Sequence, residues 1–93
     1  MIVSFKSREA EELFYDRKPK KLPPDIIPAA RRKLLMLHAA QKPEDLKIPP
    51  GNRLEALKGE RKGQYSIRVN DQWRICFYFE NGQARGVDIV DYH

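Results

Sequence analysis

The sequence has few of the residues that several common kinds of functional site require. Cys76 is the only cysteine among 93 residues, so no disulfide can form within the chain. Glycine is scarce, and the stretch from Lys58 to Gly63 has too few residues between its glycines for a nucleotide-binding loop. His38 has no second ligand three or four residues away, and no metal-ligand cluster occurs elsewhere. We therefore expect neither a metal ion nor another cofactor.

Long apolar runs are also missing. No stretch approaches the length that spans a bilayer, and the segment Met1 to Lys6 lacks the apolar run and cleavage pattern of a secretory signal. Cys76 lies within a predicted apolar strand, which indicates a buried structural thiol in a reducing compartment. The expectation is a soluble cytoplasmic protein, without a membrane partner, that folds as a single domain over residues 1–93.

Positive charge is the main excess. Lysine and arginine number 18 against 13 acidic residues, which gives a formal net charge of +5. Such a balance favours nucleic acid or an acidic protein as the partner. Much of it lies between Arg53 and Phe79, where apolar and polar residues alternate at strand period and many polar positions are Lys or Arg. This pattern predicts a sheet face that meets an anion.

The alternation in this block also predicts how two strands pair. Tyr65 to Val69 and Trp73 to Phe79 each place apolar side chains on one face. Only a three-residue connection, Asn70 to Gln72, keeps apolar residues opposite each other, and it places Arg68 opposite Arg74. Two like charges in this position are destabilising unless they are neutralised. An intramolecular carboxylate such as Glu55 and a bound phosphate are both possible partners.

The remaining chain predicts the other elements of an α+β domain. Ile2 to Phe5 should be a strand, Ser7 should cap a short helix, and a second helix should run from Pro24 or Asp25 to about Gln41. In the second helix we expect an inner apolar stripe and an outer basic run, formed respectively by Ile27, Ala30, Leu34 and Leu37 and by Arg31, Arg32 and Lys33.

Two further segments complete the predicted sheet. Arg53 to Leu57 should be a strand with Leu54 and Ala56 facing inward, and Asn81 to Gln83 should be a three-residue hairpin loop. The predicted fold is therefore a small α+β domain in which two N-terminal helices pack on one face of an antiparallel sheet. The other face is open and carries Arg68 and Arg74, and we call it the arginine face.

The arginine face has residues suited to cleavage of RNA without a metal. RNA supplies its own nucleophile, the 2′-hydroxyl group, so a protein needs a proton acceptor, a proton donor and cations around the phosphorus. The candidates for these roles are Glu55, Lys58, Arg61, Arg68, Arg74, Tyr92 and His93.

Two stretches of the sequence resemble the HigB branch of the RelE-like toxins, within the RelE/ParE superfamily. They run from Arg53 to Ile75 and from Val87 to His93, and the motifs are L-K-G-x-R, W-R-I and a terminal D-Y-H. The resemblance implies a RelE-like fold and the toxin of a type II toxin-antitoxin pair, which cuts mRNA in the ribosomal decoding site and inhibits translation. It also implies a HigA-type helix-turn-helix antitoxin as partner, with operator DNA contacted only through that antitoxin.

The resemblance also suggests residue roles. Lys58 and Arg74 would stabilise the phosphate, and His93 would act as general acid or base. Tyr92 would stack on or position a nucleotide, while Asp91 would orient the carboxyl-terminal residues. Glu55 stands where some members have histidine, and it is either a base or a salt-bridge partner of Arg68. RNA contacts are expected from Arg61, Lys62, Arg68 and Gln72.

Two other functions fit the same charge pattern. One is a basic protein that binds RNA or DNA without chemistry, and the other is a co-repressor that acts with its antitoxin. Only an enzyme should lose turnover but keep binding when His93 is replaced by alanine. Growth arrest on expression without the antitoxin, relieved by co-expression, separates a toxin from a co-repressor.

Overall fold

The computed structural model describes residues 1–91 and has the predicted α+β architecture. Four strands form an antiparallel sheet in the order β1-β2-β3-β4. The helices are α1 (Arg8–Phe14) and α2 (Ile27–Ala39), and the strands are β1 (Glu55–Ala56), β2 (Tyr65–Arg68), β3 (Trp73–Glu80) and β4 (Gln83–Asp91). No helix within residues 1–91 is long and apolar enough to cross a membrane.

The amino-terminal segment lies beside β4 rather than forming a regular strand. Ile2 and Phe5 make isolated parallel bridges with Ala84 and Val87. The amide of Lys6 donates a hydrogen bond of 2.8 Å to the carbonyl oxygen of Val87. The predicted opening strand thus pairs with the sheet through two bridges only.

Both helices follow their predicted sequence signals. The hydroxyl of Ser7 accepts a hydrogen bond of 3.2 Å from the amide of Ala10, which satisfies one of the free donors at the start of α1. A 3₁₀ turn at Pro24–Ile26 precedes α2, which ends at Ala39, slightly before the predicted end. The predicted inner stripe of α2 is buried and shares one core with Leu13, Ile67, Ile75 and Phe77.

The outer basic run of α2 is only partly exposed to solvent. Arg31 is only partly exposed, because its Nε donates to the carbonyl oxygen of Leu13 at 3.0 Å and its Nη2 to that of Arg17 at 2.8 Å. It also pairs with the Asp16 carboxylate at 3.3 Å. Carbonyl groups at the end of a helix lack intrahelical donors, so Arg31 joins the end of α1 to α2.

The pairing of β2 with β3 confirms the predicted register. Ile67 lies opposite Ile75, and Arg68 lies opposite Arg74. The amide of Val69 donates to the carbonyl oxygen of Trp73 at 2.9 Å, which leaves Asn70 to Gln72 as the connection.

The predicted length of the loop between β3 and β4 is wrong, although the predicted register is correct over part of the ladder. Glu80 pairs with Gln83, so the connection is the two residues Asn81 and Gly82, both with positive φ (54° and 76°). A β-bulge between Cys76 and Tyr78 compensates for the shorter turn. The extra residue restores the predicted pairs Ile75–Ile89 and Arg74–Val90.

Strand β1 is shorter than predicted and lies at the edge of the sheet. Arg53 has a left-handed backbone (φ 45°, ψ 58°), which interrupts the extended conformation before Glu55. Leu54 packs against the core, but Ala56 is exposed and does not face inward. The expectation for Ala56 was wrong because Glu55 and Ala56 form an edge strand, which pairs in the sheet with β2 alone.

Candidate functional site

The two opposed arginines of the arginine face are held by different oxygen atoms. Arg68 forms an ion pair with the carboxylate of Asp71, in the turn that follows β2. Arg74 contacts atoms of Ser66, Arg53 and Glu55. Separate partners lower the repulsion between the two guanidinium groups, so they can occupy paired positions on adjacent strands.

Among the described residues, three neutral oxygen atoms accept hydrogen bonds from the guanidinium of Arg74. Its Nε donates to the hydroxyl of Ser66 at 2.8 Å, and its Nη2 donates to the carbonyl oxygen of Arg53 at 2.6 Å. A longer bond of 3.4 Å joins Nη2 to the carbonyl oxygen of Ser66. Arg74 is only 7% exposed. Hydroxyl and carbonyl oxygens orient the group without cancelling its charge, as an anion-binding cation requires.

Glu55 lies beside Arg74, whereas the salt-bridge alternative had placed it with Arg68. Its Oε1 is 3.8 Å from Nη1 of Arg74, and its side chain is half exposed. A carboxylate in this position reduces the positive charge of the face, and it is close enough to Arg74 to act near a phosphate bound there.

A basic loop adjoins this pair. Lys58, Arg61 and Lys62 lie between β1 and β2, around a 3₁₀ turn at Gly59–Arg61. Lys58 and Lys62 are exposed, whereas Arg61 is partly buried and donates to the side-chain oxygen of Gln64 at 3.5 Å. The loop therefore carries two exposed lysine charges in the connection that follows Glu55.

Cys76, in β3, is a buried thiol, as predicted. It is fully buried, and burial raises the pKa of its thiol more than any other influence. Asp88 raises this pKa further, while the charges of Arg61 and Arg74 lower it. The thiol stays protonated at neutral pH, which makes Cys76 a poor nucleophile.

The start of β3 brings together two other predicted site residues. Nε2 of Gln72 donates to Oδ2 of Asp91 at 3.1 Å, and Asp91 pairs with Trp73 at the end of β4. Asp91 is exposed. The predictions for Tyr92 and His93 lie outside the described residues.

Lys33, in the predicted outer basic run of α2, is held by a buried side chain. Its Nζ donates to Oδ1 of the fully buried Asn52 at 2.5 Å. The pKa of Lys33 is lowered, first by burial and then by the charges of Arg32 and Arg68.

Two further contributors, Ser66 and the backbone of Arg53, were missed by sequence reasoning. Ser66 alternates onto the polar face of β2, where its small size among charged residues was the available signal. Nothing in the sequence marks the carbonyl oxygen of Arg53, because that contact depends on a left-handed backbone. Among residues 1–91, no three His, Cys, Asp or Glu side chains are grouped to hold a metal ion.

Solved structures share this fold. The chain aligns over its full length with 98% of a YoeB chain from the crystal structure of a heterotetrameric YoeB-YefM toxin-antitoxin complex of Staphylococcus aureus, with a TM-score of 0.61 and 17% identity. A second YoeB-YefM complex from the same organism gives a TM-score of 0.57 over the same shares of the two chains, also at 17% identity. The protein is therefore a small α+β domain of the RelE-like fold class.

Sequence comparison gives the family. Residues 3–93 match the model of the HigB-like toxins, described as the RelE-like toxin of type II toxin-antitoxin system HigB, and the chain belongs to this family. Toxin HigB-1 of Vibrio cholerae serotype O1 is 47% identical over 85 residues, 90% of each chain. Endoribonuclease HigB of Proteus vulgaris is 33% identical over 93 residues, the whole of both chains.

Proposed function

We propose that this toxin is an endoribonuclease that cleaves mRNA on the ribosome and so inhibits translation. A relative named Endoribonuclease HigB aligns with it from end to end at 33% identity, which supports cleavage of RNA. The structural observation that carries the proposal is the buried guanidinium of Arg74, oriented by Ser66 and Arg53 at the edge of a basic face.

Arg74 would stabilise the transition state. Attack on a phosphodiester places extra negative charge on the phosphate oxygens, and a cation held in advance needs no reorganisation when that charge develops. Removal of one such group typically lowers turnover by about 100-fold to 1,000-fold. Lys58, exposed in the neighbouring loop, would supply a second and more adaptable positive charge.

The proposed reaction needs no metal ion. The 2′-hydroxyl attacks phosphorus, a bond from phosphorus to O2′ forms, and the bond to O5′ breaks. A general base removes the 2′-hydroxyl proton, and a general acid returns a proton to O5′, leaving a cyclic phosphate and a 5′-hydroxyl. We assign His93 to one of these proton transfers, Tyr92 to positioning the nucleotide and Asp91 to orienting the carboxyl-terminal residues. Glu55 is either the base for the other transfer or a charge partner of Arg74, and the Glu55→Gln variant distinguishes the two roles.

The RNA would lie across the arginine face. We take both helices to pack on the core face of the sheet, which leaves the arginine face accessible. The proposed contacts to the RNA backbone come from Arg61, Lys62, Arg68 and Gln72. Three of these are cations that can bind phosphate oxygens, and Gln72 can donate hydrogen bonds through its amide.

The proposed partners follow from the same role. A ribosome that holds mRNA in its decoding site would orient the 2′-hydroxyl, and orientation alone can provide a large share of the rate. We propose a HigA-type helix-turn-helix antitoxin as the inhibitor, contact with operator DNA only through that antitoxin, and the cytoplasm as the site of action.

The test is mRNA cleavage with programmed ribosomes and, in parallel, with mRNA alone. Wild-type protein is compared with Arg74→Ala and His93→Ala, each with and without prior dialysis of the toxin against a chelator, so that the ribosomes keep their Mg²⁺. We expect cuts only when ribosomes are present, unchanged by the chelator, and at least about 100-fold slower in both variants. Ribosome binding should persist in both.

A folded wild-type protein that binds ribosomes but cuts none of several messages would refute the enzymatic proposal. It would favour a binding protein or co-repressor instead. Cleavage of mRNA alone at the same rate would refute ribosome dependence but keep the endoribonuclease activity.

A further inference from the structure

The way in which Arg74 is held leads to an inference about a residue of β2. We propose that Ser66 is a positioning residue, whose hydroxyl fixes the Arg74 guanidinium in the orientation that stabilises the transition state. This inference rests on the proposed function, because it assigns Ser66 a role through Arg74 and not through contact with RNA.

The register of the sheet explains why Arg74 reaches Ser66. Ser66 lies opposite Glu55 of β1 and opposite Cys76 of β3, while Arg74 lies two pairs further along the ladder of β2 and β3. To make its 2.8 Å bond with Ser66, Arg74 directs its side chain diagonally across β2 towards the edge strand. The guanidinium therefore lies over β2 and beside Glu55, where it also reaches the Arg53 carbonyl.

Ser66 holds the guanidinium at two points. Its hydroxyl oxygen accepts from Nε at 2.8 Å, and its carbonyl oxygen accepts from Nη2 at 3.4 Å. The Arg53 carbonyl also accepts from Nη2, at 2.6 Å. A single acceptor would let the guanidinium rotate about the last side-chain bonds of Arg74. Acceptors for both Nε and Nη2 restrict this rotation. The planar fork is therefore fixed in direction before any ligand binds.

The chemistry of serine suits this position. Ser66 is fully buried, and its hydroxyl is the acceptor for a donor that is itself buried. A carboxylate in the same place would neutralise Arg74 and weaken its attraction for phosphate. Alanine would fit sterically but would leave Nε without this acceptor. A hydroxyl orients the guanidinium and preserves its charge.

The experiment separates positioning from a general loss of stability. Ser66→Ala, Ser66→Thr and the matched control Cys76→Ala are compared on programmed ribosomes, with measurement of the cleavage rate at saturation and the half-saturating ribosome concentration. Cys76 is an equally buried residue directly opposite Ser66. Ser66→Ala should reduce the saturated rate about tenfold, while the half-saturating concentration changes less than about twofold. Ser66→Thr, which keeps the hydroxyl, should recover most of the rate.

A second comparison shows whether Ser66 acts through Arg74. Arg74→Lys keeps a positive charge but has no Nε–H group to donate to Ser66. In this background Ser66→Ala should lower the rate less than about twofold further, because the interaction is already lost. In the free protein, the Nε–H proton of Arg74 should exchange with solvent at least about tenfold faster in Ser66→Ala than in Cys76→Ala.

Each of these measurements can refute the positioning role of Ser66. If Ser66→Ala cuts at the wild-type rate, or loses equal activity in the Arg74→Lys background, the positioning role is refuted and the endoribonuclease proposal stands. An unchanged exchange rate of the Arg74 Nε–H proton refutes it as well. If the wild-type protein does not cut, the proposed function fails first and the positioning role fails with it.

Discussion

Arg68 and Arg74 are opposite partners on β2 and β3, yet their guanidinium groups are held in different ways. Arg68 pairs with Asp71, whose side chain is almost fully exposed in a turn. Arg74 is buried against the neutral oxygens of Ser66 and Arg53. The carboxylate of a solvent-exposed ion pair is easily replaced by another anion, whereas a buried guanidinium group is costly to move. The two arginines should therefore contribute differently to RNA binding and to cleavage.

Arg68→Ala should weaken RNA binding with little effect on chemistry. Loss of one phosphate contact should raise the half-saturating ribosome concentration by about threefold to tenfold. It should also reduce the slope of log affinity against log salt concentration by about one. The rate at saturation should stay within about twofold. Cleavage at several salt concentrations measures both effects, with Arg85→Ala as control, since Arg85 stacks on Tyr78 at 4.3 Å. A large fall in the saturated rate would contradict this division of roles.

Glu55→Gln distinguishes a base from a charge partner. The 3.8 Å pair with Arg74 and the exposed side chain favour the role of charge partner. We therefore expect the cleavage rate to change less than about tenfold, and the dependence of the rate on pH to stay the same. A rate loss of about 100-fold or more, with disappearance of the acidic limb of the pH profile, would instead identify Glu55 as the base.

Arg53→Gly should preserve the stability of the fold, although it removes a charged side chain beside the site. Arg53 has a φ of 45°, which glycine adopts without strain, and it contacts Arg74 through its carbonyl oxygen. Urea unfolding should show a free energy of unfolding that is equal or higher by up to about 1 kcal/mol. Arg85→Gly, in extended β4, should cost about 1 kcal/mol by comparison. A clear destabilisation by Arg53→Gly would show that the arginine side chain is needed.

Asn52→Ala should be strongly destabilising. Asn52 is fully buried, accepts from Lys33 and donates to the carbonyl oxygen of Leu46 at 3.2 Å. Its replacement leaves a buried carbonyl and a partly buried ammonium without their partner, which should cost about 2 kcal/mol of unfolding free energy. Gln41→Ala replaces an exposed amide as the control and should cost less than about 0.5 kcal/mol. Equal urea midpoints for the two variants would contradict the structural role of Asn52.

Cys76 should make stability fall at alkaline pH. Burial holds the pKa of its thiol above the ordinary value of 9.0 in the folded protein. As the pH rises, the unfolded chain therefore loses this proton before the folded protein does. The contribution of the Cys76 thiol to stability is full below pH 9.0 and declines as the pH rises through and above that value.

Urea unfolding of wild-type protein and Cys76→Ala between pH 7 and pH 10.5 tests this expectation, because alanine does not titrate. The stability difference between the two proteins should decrease above pH 9.0. At pH 7.5 a thiol reagent should label Cys76 at least about 100-fold more slowly in native than in urea-unfolded protein. Rapid labelling of the native protein would show that the thiol is accessible.

The sequence by itself determined the pairing of β2 with β3 and the inner face of α2. Side chains alternate strictly along a strand, and burial penalises a one-residue slip, so Arg68 had to lie opposite Arg74 once their apolar neighbours faced the core. Ser7 and the apolar stripe of α2 were equally local signals. The roles of Lys58, Tyr92 and His93 stay predictions.

Only the tertiary structure decided how the arginine face is built. The bulge after Cys76, the left-handed backbone of Arg53 and the reach of Arg31 to α1 each depend on contacts between distant parts of the chain. Arg74 has acceptors 8 and 21 residues away in Ser66 and Arg53. Periodicity states which face a side chain occupies, but the direction of a long flexible side chain is set by the acceptors that the folded chain brings within its reach.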